Sequence, residues 1–261
     1  MREFLEINNL LTDFQYGFRE KRSTTDAICS ILEQLYTNFN ERQLTQGVFL
    51  DFSKAFDTIN HELLLKKLPY YKFSTSACKL IKNYLTNRKQ YVCIDQETSK
   101  LSSVQIGVPQ GSVLGPLLFL IFINDLINCA PELNYILFAD DTNIFSPDHK
   151  IMQLKLPDIV EWCEANRLVI NIDKTFLILF KTPQKQLNEL DFQLKMYNSY
   201  LQQKASTKFL GITVDSSLNF KQHLQDLSRN LNHANMIMRS LRPFVNNKTM
   251  IDLNMLSFTH T

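Results

Sequence analysis

Asp51, Asp140 and Asp141 are the residues whose types and spacing point most directly to chemistry. Asp140 and Asp141 are adjacent and lie between two short apolar runs, Ile136-Leu137-Phe138-Ala139 and Ile144-Phe145. Branched and aromatic runs of this kind suit strands, and Asp-Asp-Thr-Asn at 140–143 suits a tight turn between them. Such a hairpin presents two carboxylates at the tip of a buried sheet edge. Two unit charges about 4 Å apart repel by roughly 4 kcal/mol at an effective dielectric of 20. No basic residue lies close in sequence to offset this, so a cation is the natural third party. Asp51 closes another apolar run, 47–52, that reads as a buried strand. Laid side by side, the two strands would bring all three carboxylates together, a strongly destabilising cluster without a metal. Two Mg²⁺ about 3.5–4 Å apart would turn it into a site for in-line phosphoryl transfer. An isolated Asp-Asp is more often only a turn dipeptide, so the surrounding elements must carry the decision.

Those elements read as alternating helices and strands. Ser23 or Thr24 caps a helix with Ala27, Ile28, Ile31, Leu32 and Leu35 on one face. Asn60 caps a second helix, from His61, that turns Leu63, Leu64 and Leu68 inward. Residues 74–88 predict a third (Cys78, Ile81, Leu85), followed by a strand at 91–94. A glycine-bearing loop, 106–112, runs into a segment, 113–128, that is apolar all round and must be a core helix. Beyond the aspartate pair, Leu156, Ile159, Val160 and Cys163 mark a helix with Pro157 in its first turn and Asn166 near its end. Extended segments at 168–172 and 176–180 flank a turn at Asp173-Lys174, and 183–188 is a polar connector. Residues 208–214 predict a strand pair or a bent strand. From Phe220 a helical face carries Leu224, Leu227 and Leu231, and Lys221, Arg229, Arg239, Arg242 and Lys248 outnumber Asp226 and Asp252.

Two further groups are open to two readings. Arg19, Lys21 and Arg22 precede the first helix and form either a solvated loop or a phosphate-binding trio. Three of the six glycines fall at 107–115, marking either a tight core turn or a surface that a ligand approaches closely, with Gln110 as its polar contact.

At 261 residues with 44% hydrophobic and 21% charged side chains, the chain can bury a large core. A formal net charge of +2 means that any basic surface is local. Five cysteines without a C-x-x-C pair argue against a disulfide framework or a zinc site and for a reducing compartment. The N-terminus lacks a secretory pattern, and the longest apolar run, 113–123, is too short for a bilayer. The expectation is a non-secreted protein of the nucleus or cytoplasm with no membrane partner.

Three segments in order resemble the palm motifs of reverse transcriptases, most closely those of jockey-like, non-LTR (LINE-type) retrotransposons. They are Val48-Phe49-Leu50-Asp51-Phe52-Ser53-Lys54-Ala55-Phe56-Asp57, Gly107-Val108-Pro109-Gln110-Gly111-Ser112, and Phe138-Ala139-Asp140-Asp141. Gln15-Tyr16-Gly17-Phe18-Arg19, the stretch from Trp162 to Thr175, and Phe209-Leu210-Gly211 resemble further motifs of that family. The resemblance implies an α+β fold: a right-hand polymerase palm, an antiparallel sheet backed by helices, with partial fingers at 1–45 and the start of a thumb at 217–261. The palm, with fingers insertions, would occupy 46–216. It implies copying of an RNA template into DNA from a DNA primer and dNTPs, with two Mg²⁺ or Mn²⁺. Asp51, Asp140, Asp141 and the Phe52 carbonyl would hold the metals. Phe56 would exclude a 2′-hydroxyl, unless it is only a core aromatic. Gln110, Gly111, Arg19 and Arg22 would face nucleotide and template, and Phe209, Leu210 and Gly211 would grip the primer. Lys174 would approach the triphosphate and protonate the leaving pyrophosphate, or else be a solvated turn lysine. The family's upstream Arg-Pro-Ile segment would precede this chain, and the thumb would stop in mid-element at 256–261. A catalytically silent nucleic-acid-binding remnant is the alternative.

Overall fold

The computed structural model describes residues 1–185, 188–246 and 249. Lys248, Asp252, residues 256–261 and two positions of the 183–188 connector lie outside the described residues. The chain divides into two compact units, Met1–Lys204 and Ala205–Thr261.

The first unit opens with α1 (Arg2–Ile7) and α2 (Thr24–Asn40), whose N-cap Ser23 and Asp26 form a capping box. Ala27, Ile31 and Leu35 are buried, as the helical spacing requires. β1 (Thr45–Leu50) is buried along its whole length. A short α3 (Ala55–Thr58), α4 (His61–Lys67) and α5 (Thr75–Leu85) follow; Asn60 caps α4 through the Leu63 amide. Next come β2 (Arg88–Gln90), β3 (Cys93–Ile94), β4 (Glu97–Thr98) and β5 (Ser102–Val104), paired as β2–β5 and β3–β4. The strand expected at 91–94 is thus broken. Tyr91, Val92 and Ile94 are exposed, with no buried face to enforce alternation.

α6 (Leu114–Ile123) is buried around almost its entire circumference. It stops earlier than the apolar run suggested, and a 3₁₀ turn at Leu126–Asn128 completes the segment. β6 (Asn134–Phe138) and β7 (Asp141–Ser146) form the hairpin, and α7 (His149–Ala165) follows. Here Pro157 sits inside the helix, not in its first turn. Asp148 caps the helix by accepting from the Lys150 and Ile151 amides, so it starts two turns earlier than expected. β8 (Phe176–Phe180), the small pair β9 (Lys195–Met196) and β10 (Ser199–Tyr200), and β11 (Gln202–Gln203) complete the unit.

The main sheet runs β11-β8-β1-β7-β6, antiparallel except for β11 beside β8. β1 is central because it can be covered on both faces. One of its residues must be glycine: a Cβ at Gly47 would meet the Phe145 and Phe180 rings at 2.8 Å. Phe49 stacks on Phe176 at 5.1 Å on the flanking strand. The second unit is the hairpin of β12 (Ser206–Phe209) and β13 (Ile212–Asp215) followed by α8 (Lys221–Leu241), no residue of which is fully buried. The strand pair expected at 208–214 is therefore this hairpin, turned by Leu210 and Gly211. Among the described residues, no helix is long and apolar enough to cross a membrane.

Candidate active site

Sheet register brings the aspartates together. Leu50 on β1 lies opposite Thr142 on β7, and one more step along that antiparallel register sets Asp51 against Asp141. Across the hairpin Phe138 pairs with Asp141, so the turn is Ala139-Asp140 alone. This corrects the four-residue turn read from Asp-Asp-Thr-Asn. Thr142 and Asn143 are buried ladder residues, because β1 extends alongside them and Asn143 donates to the Ile136 carbonyl at 3.1 Å.

The electrostatics follow from this placement. The Asp141 carboxyl is pushed above the ordinary carboxylate range, first by desolvation and then by the charges of Asp140 and Asp51. The residue nevertheless keeps a solvent-facing edge. Among the described residues, no three His, Cys, Asp or Glu side chains are drawn together tightly enough to close on an ion. The donor chemistry still fits a hard divalent cation: three carboxylates and a main-chain carbonyl, all oxygen. That carbonyl belongs to Phe52. The Asp51 carbonyl accepts from the Asn171 amide and the Ser53 amide donates to Val169, each at 2.8 Å. Phe52 pairs with Ile170 between those bonds, so its own carbonyl points to the opposite side, that of the Ala139-Asp140 turn.

Two segments hold the acids in place. Thr175, fully buried, accepts from the Asp51 amide through its hydroxyl at 3.2 Å. The turn that carries exposed Lys174 is closed by the Lys174 and Thr175 amides on the Asn171 carbonyl, so it is bonded directly to the Asp51 backbone. On the other side the segment 14–17 lies along β6 as a parallel bridge, Leu137 donating to Phe14 and Tyr16 to Leu137. Gln15, 2% exposed, accepts from the Ala139 amide at 3.0 Å and from Gly17 at 2.8 Å, and donates to the Ala139 carbonyl at 3.4 Å. A Cβ at Gly17 would collide with the Ala139 backbone nitrogen. Ala139 (φ 56) and Lys54 (φ 51), one beside each acid-bearing strand end, are left-handed non-glycine residues held by this framework.

The glycine loop docks on α3. Val108 donates to the Phe56 carbonyl at 2.9 Å and Gly107 to Ile59 at 2.7 Å, while His61 Nε2 donates to the Gly107 carbonyl at 2.6 Å. A Cβ at Gly107 (φ 81) would lie 2.5 Å from the Asp57 carbonyl oxygen. Gly111 (φ 76) has open space around it, so its backbone conformation, not crowding, requires glycine. Gln110 donates to Asp57 at 2.9 Å. Phe56 stacks on Phe119 at 4.5 Å yet stays partly exposed, with the Phe18 ring edge-on to it at a centroid distance of 6.5 Å. The loop is thus the tight packed turn, and it also borders a cleft of ≈ 630 Å³ with Lys54, Asp57 and Arg88.

The family described as reverse transcriptase (RNA-dependent DNA polymerase) matches residues 1–214. The chain belongs to the reverse transcriptase family. Among curated relatives it is 29% identical to a probable RNA-directed DNA polymerase from transposon BS of Drosophila melanogaster, over 97% of this chain and 29% of that protein. It is 25% identical to the RNA-directed DNA polymerase of mobile element jockey from the same species, over 86% of this chain and 25% of that protein. The chain thus spans under a third of the length of these relatives. Its fold matches apo telomerase from Candida tropicalis (TM-score 0.60, 12% identity, 84% of this chain and 42% of that one). It also matches telomerase from Candida albicans in complex with a fragment of telomeric RNA (TM-score 0.59, 14% identity, 83% and 36%). The architecture is accordingly an α+β reverse transcriptase palm.

The remaining candidates of this reverse transcriptase chain are placed less directly. Arg19 is occupied: its guanidinium pairs with Glu6 at 2.5 Å, donates to the Thr12 carbonyl at 2.6 Å and is 8% exposed, fixing α1 to the segment 12–19. The same guanidinium holds the Glu6 carboxyl below its ordinary range. Arg22 keeps more of its surface, pairing with exposed Asp13 and lying over the Tyr16 ring at 5.2 Å. Phe209 is buried and ends β12, and Leu210 (φ 46) and Gly211 (φ 97) make the turn into β13. Sequence reasoning missed Thr175 and the role of Gln15. Both act through backbone contacts to residues 124 positions away.

Proposed function

We propose that this chain is the polymerase core of an RNA-directed DNA polymerase from a jockey-like, non-LTR mobile element. It would extend a DNA primer on an RNA template by nucleotidyl transfer from dNTPs. The observation that carries the reading is the β1–β7 register, which sets Asp51 against Asp141 with Asp140 in the adjoining turn. Asp51, Asp140, Asp141 and the Phe52 carbonyl would hold two Mg²⁺ or Mn²⁺. Bound there, the ions supply a Lewis acid for the attacking 3′-hydroxyl and charge neutralisation for the departing phosphates. Phe56, backed by Phe119, forms the wall against which a 2′-hydroxyl would clash. Gln110 and Gly111 line the nucleotide side, and Arg22 faces template. Lys174, on the turn bonded to Asp51, donates a proton to the leaving pyrophosphate. Phe209, Leu210 and Gly211 form the primer grip, and α8 begins the thumb.

Primer extension on an RNA template with Mg²⁺ or Mn²⁺ tests this. Asp51→Asn or Asp140→Asn should each lower kcat by about 10³-fold, comparable to losing a principal transition-state stabiliser. Incorporation by the wild type that survives both changes, or none by the wild type at any enzyme concentration, overturns the reading.

A further inference from the structure

A second groove, of ≈ 850 Å³, shares a wall with the cleft lined by the glycine loop. Val104, Gln105 and Ile106 border both hollows, and the chain runs from them straight into Gly107 and Gln110. The groove lies between α4, α5 and residues 104–106. Its walls carry Lys66, Lys79, Lys82 and Arg167 against a single acid, Glu62. Glu62 is taken by Lys66 at 2.6 Å, and its carboxyl is held low first by that contact and more weakly by Arg167. Lys79 and Lys82, one helical turn apart on α5, are left as an exposed cationic row. Leu65, buried Leu85 and exposed Ile106 line the same groove. Cations flanking an apolar floor suit a single nucleic-acid strand, with phosphates on the rim and bases or sugars within. The cleft lined by the glycine loop, which shares these residues, carries Lys54 and Arg88 against Asp57.

We infer that this groove holds the unpaired stretch of the RNA template, with Lys79 and Lys82 contacting its phosphates. The inference rests on the polymerase reading but concerns residues outside the catalytic set. Fluorescence anisotropy tests it, using primer–templates with 2-nucleotide and 12-nucleotide RNA overhangs. The wild type should bind the long overhang about tenfold tighter. Lys79→Glu with Lys82→Glu should remove that increment and leave the short overhang's affinity unchanged. The slope of log K against log salt should become shallower by about 1.4, two phosphate contacts at roughly 0.7 each for a single strand. Lys79→Gln with Lys82→Gln removes the same two contacts and should flatten the slope by a similar amount. A control pair of exposed residues, Lys150→Glu with Lys195→Glu, should leave the increment intact and so exclude a net-charge effect. Binding independent of overhang length, or an increment that survives the Lys79 and Lys82 changes, overturns the groove and leaves the polymerase reading standing. So does a groove that loses polyglutamate and not RNA on mutation, which would mark a site for acidic protein. A wild type that binds neither duplex overturns both.

Discussion

Gln15 sits at the point where one side chain controls the placement of two acids. Its amide satisfies the Ala139 and Gly17 N–H groups in a buried space, and Ala139 is the strained residue that aims Asp140. Gln15→Ala leaves those donors unpaired, at about 1–3 kcal/mol for each buried group. Thermal melting should drop by several degrees. Primer extension should lose kcat while the dNTP KM changes little, since the nucleotide wall at Phe56 and Gln110 is built elsewhere. A fall in melting temperature without a selective loss of kcat would reduce Gln15 to a packing residue. The residue was visible in the sequence as part of a family motif, but its task was not. The partner is 124 positions away, and no local pattern encodes it. Asp141 makes the complementary case. Its folded carboxyl titrates above the ordinary value, so between the two the folded chain holds more protons than the unfolded one. That stability is present at low pH and is lost as pH rises through the raised value. In metal-free buffer at pH 7, Asp141→Asn should therefore raise the melting temperature by roughly 1–3 °C, the scale of a small electrostatic relief in a chain of this length. The gain should vanish at low pH and reverse in Mn²⁺, because only the wild type retains the ligand. A lower melting temperature for the variant in metal-free buffer at pH 7 would mean that the three acids do not repel.

Local elements were legible where a cap or a period announces them. Ser23 and Asn60 start their helices, and α6 reads as buried because it has no polar face. The errors fall where a longer-range partner overrides the local signal. Thr142 and Asn143 resemble turn residues, yet β1 makes them strand. Pro157 resembles a helix start, yet Asp148 two turns upstream already caps the helix, which then absorbs the missing amide. The glycine loop shows how an element transmits to the site. Gly107 is pressed on the α3 backbone next to Phe56, at a φ that other residues take only with strain. Gly107→Ala should push the loop away from Asp57 and break the Gln110 contact. The dNTP KM should rise by about tenfold or more with a smaller change in kcat, measured by steady-state primer extension. An unchanged KM would separate the loop from nucleotide binding.

At the scale of the whole molecule, the division at Lys204 has a physical basis in where the core closes. Among the described residues, the main buried cluster runs from Leu5 to Leu201, including α6, β1, the hairpin strands and α7, and none of its members lies beyond Lys204. All three aspartates, Gln15, Thr175 and the glycine loop lie in that unit. A unit that buries its own core and satisfies its own sheet is expected to fold alone. The fragment 1–204 should therefore unfold in one cooperative transition, with a melting temperature within about 5 °C of the full chain, a shift that roughly 1–2 kcal/mol would produce at this size. It should also gain the same stabilisation from millimolar Mn²⁺ as the full chain, because ligand-linked stability depends only on the site that binds. Differential scanning calorimetry with and without Mn²⁺ reads both quantities. A broad, non-cooperative transition would show that residues 205–261 are part of the folding unit. A cooperative fragment without Mn²⁺ stabilisation, beside a full chain that shows it, would place an essential part of the metal site beyond Lys204. Retained metal binding with lost primer extension is the expected pairing, since the residues assigned to primer grip and thumb are the ones removed.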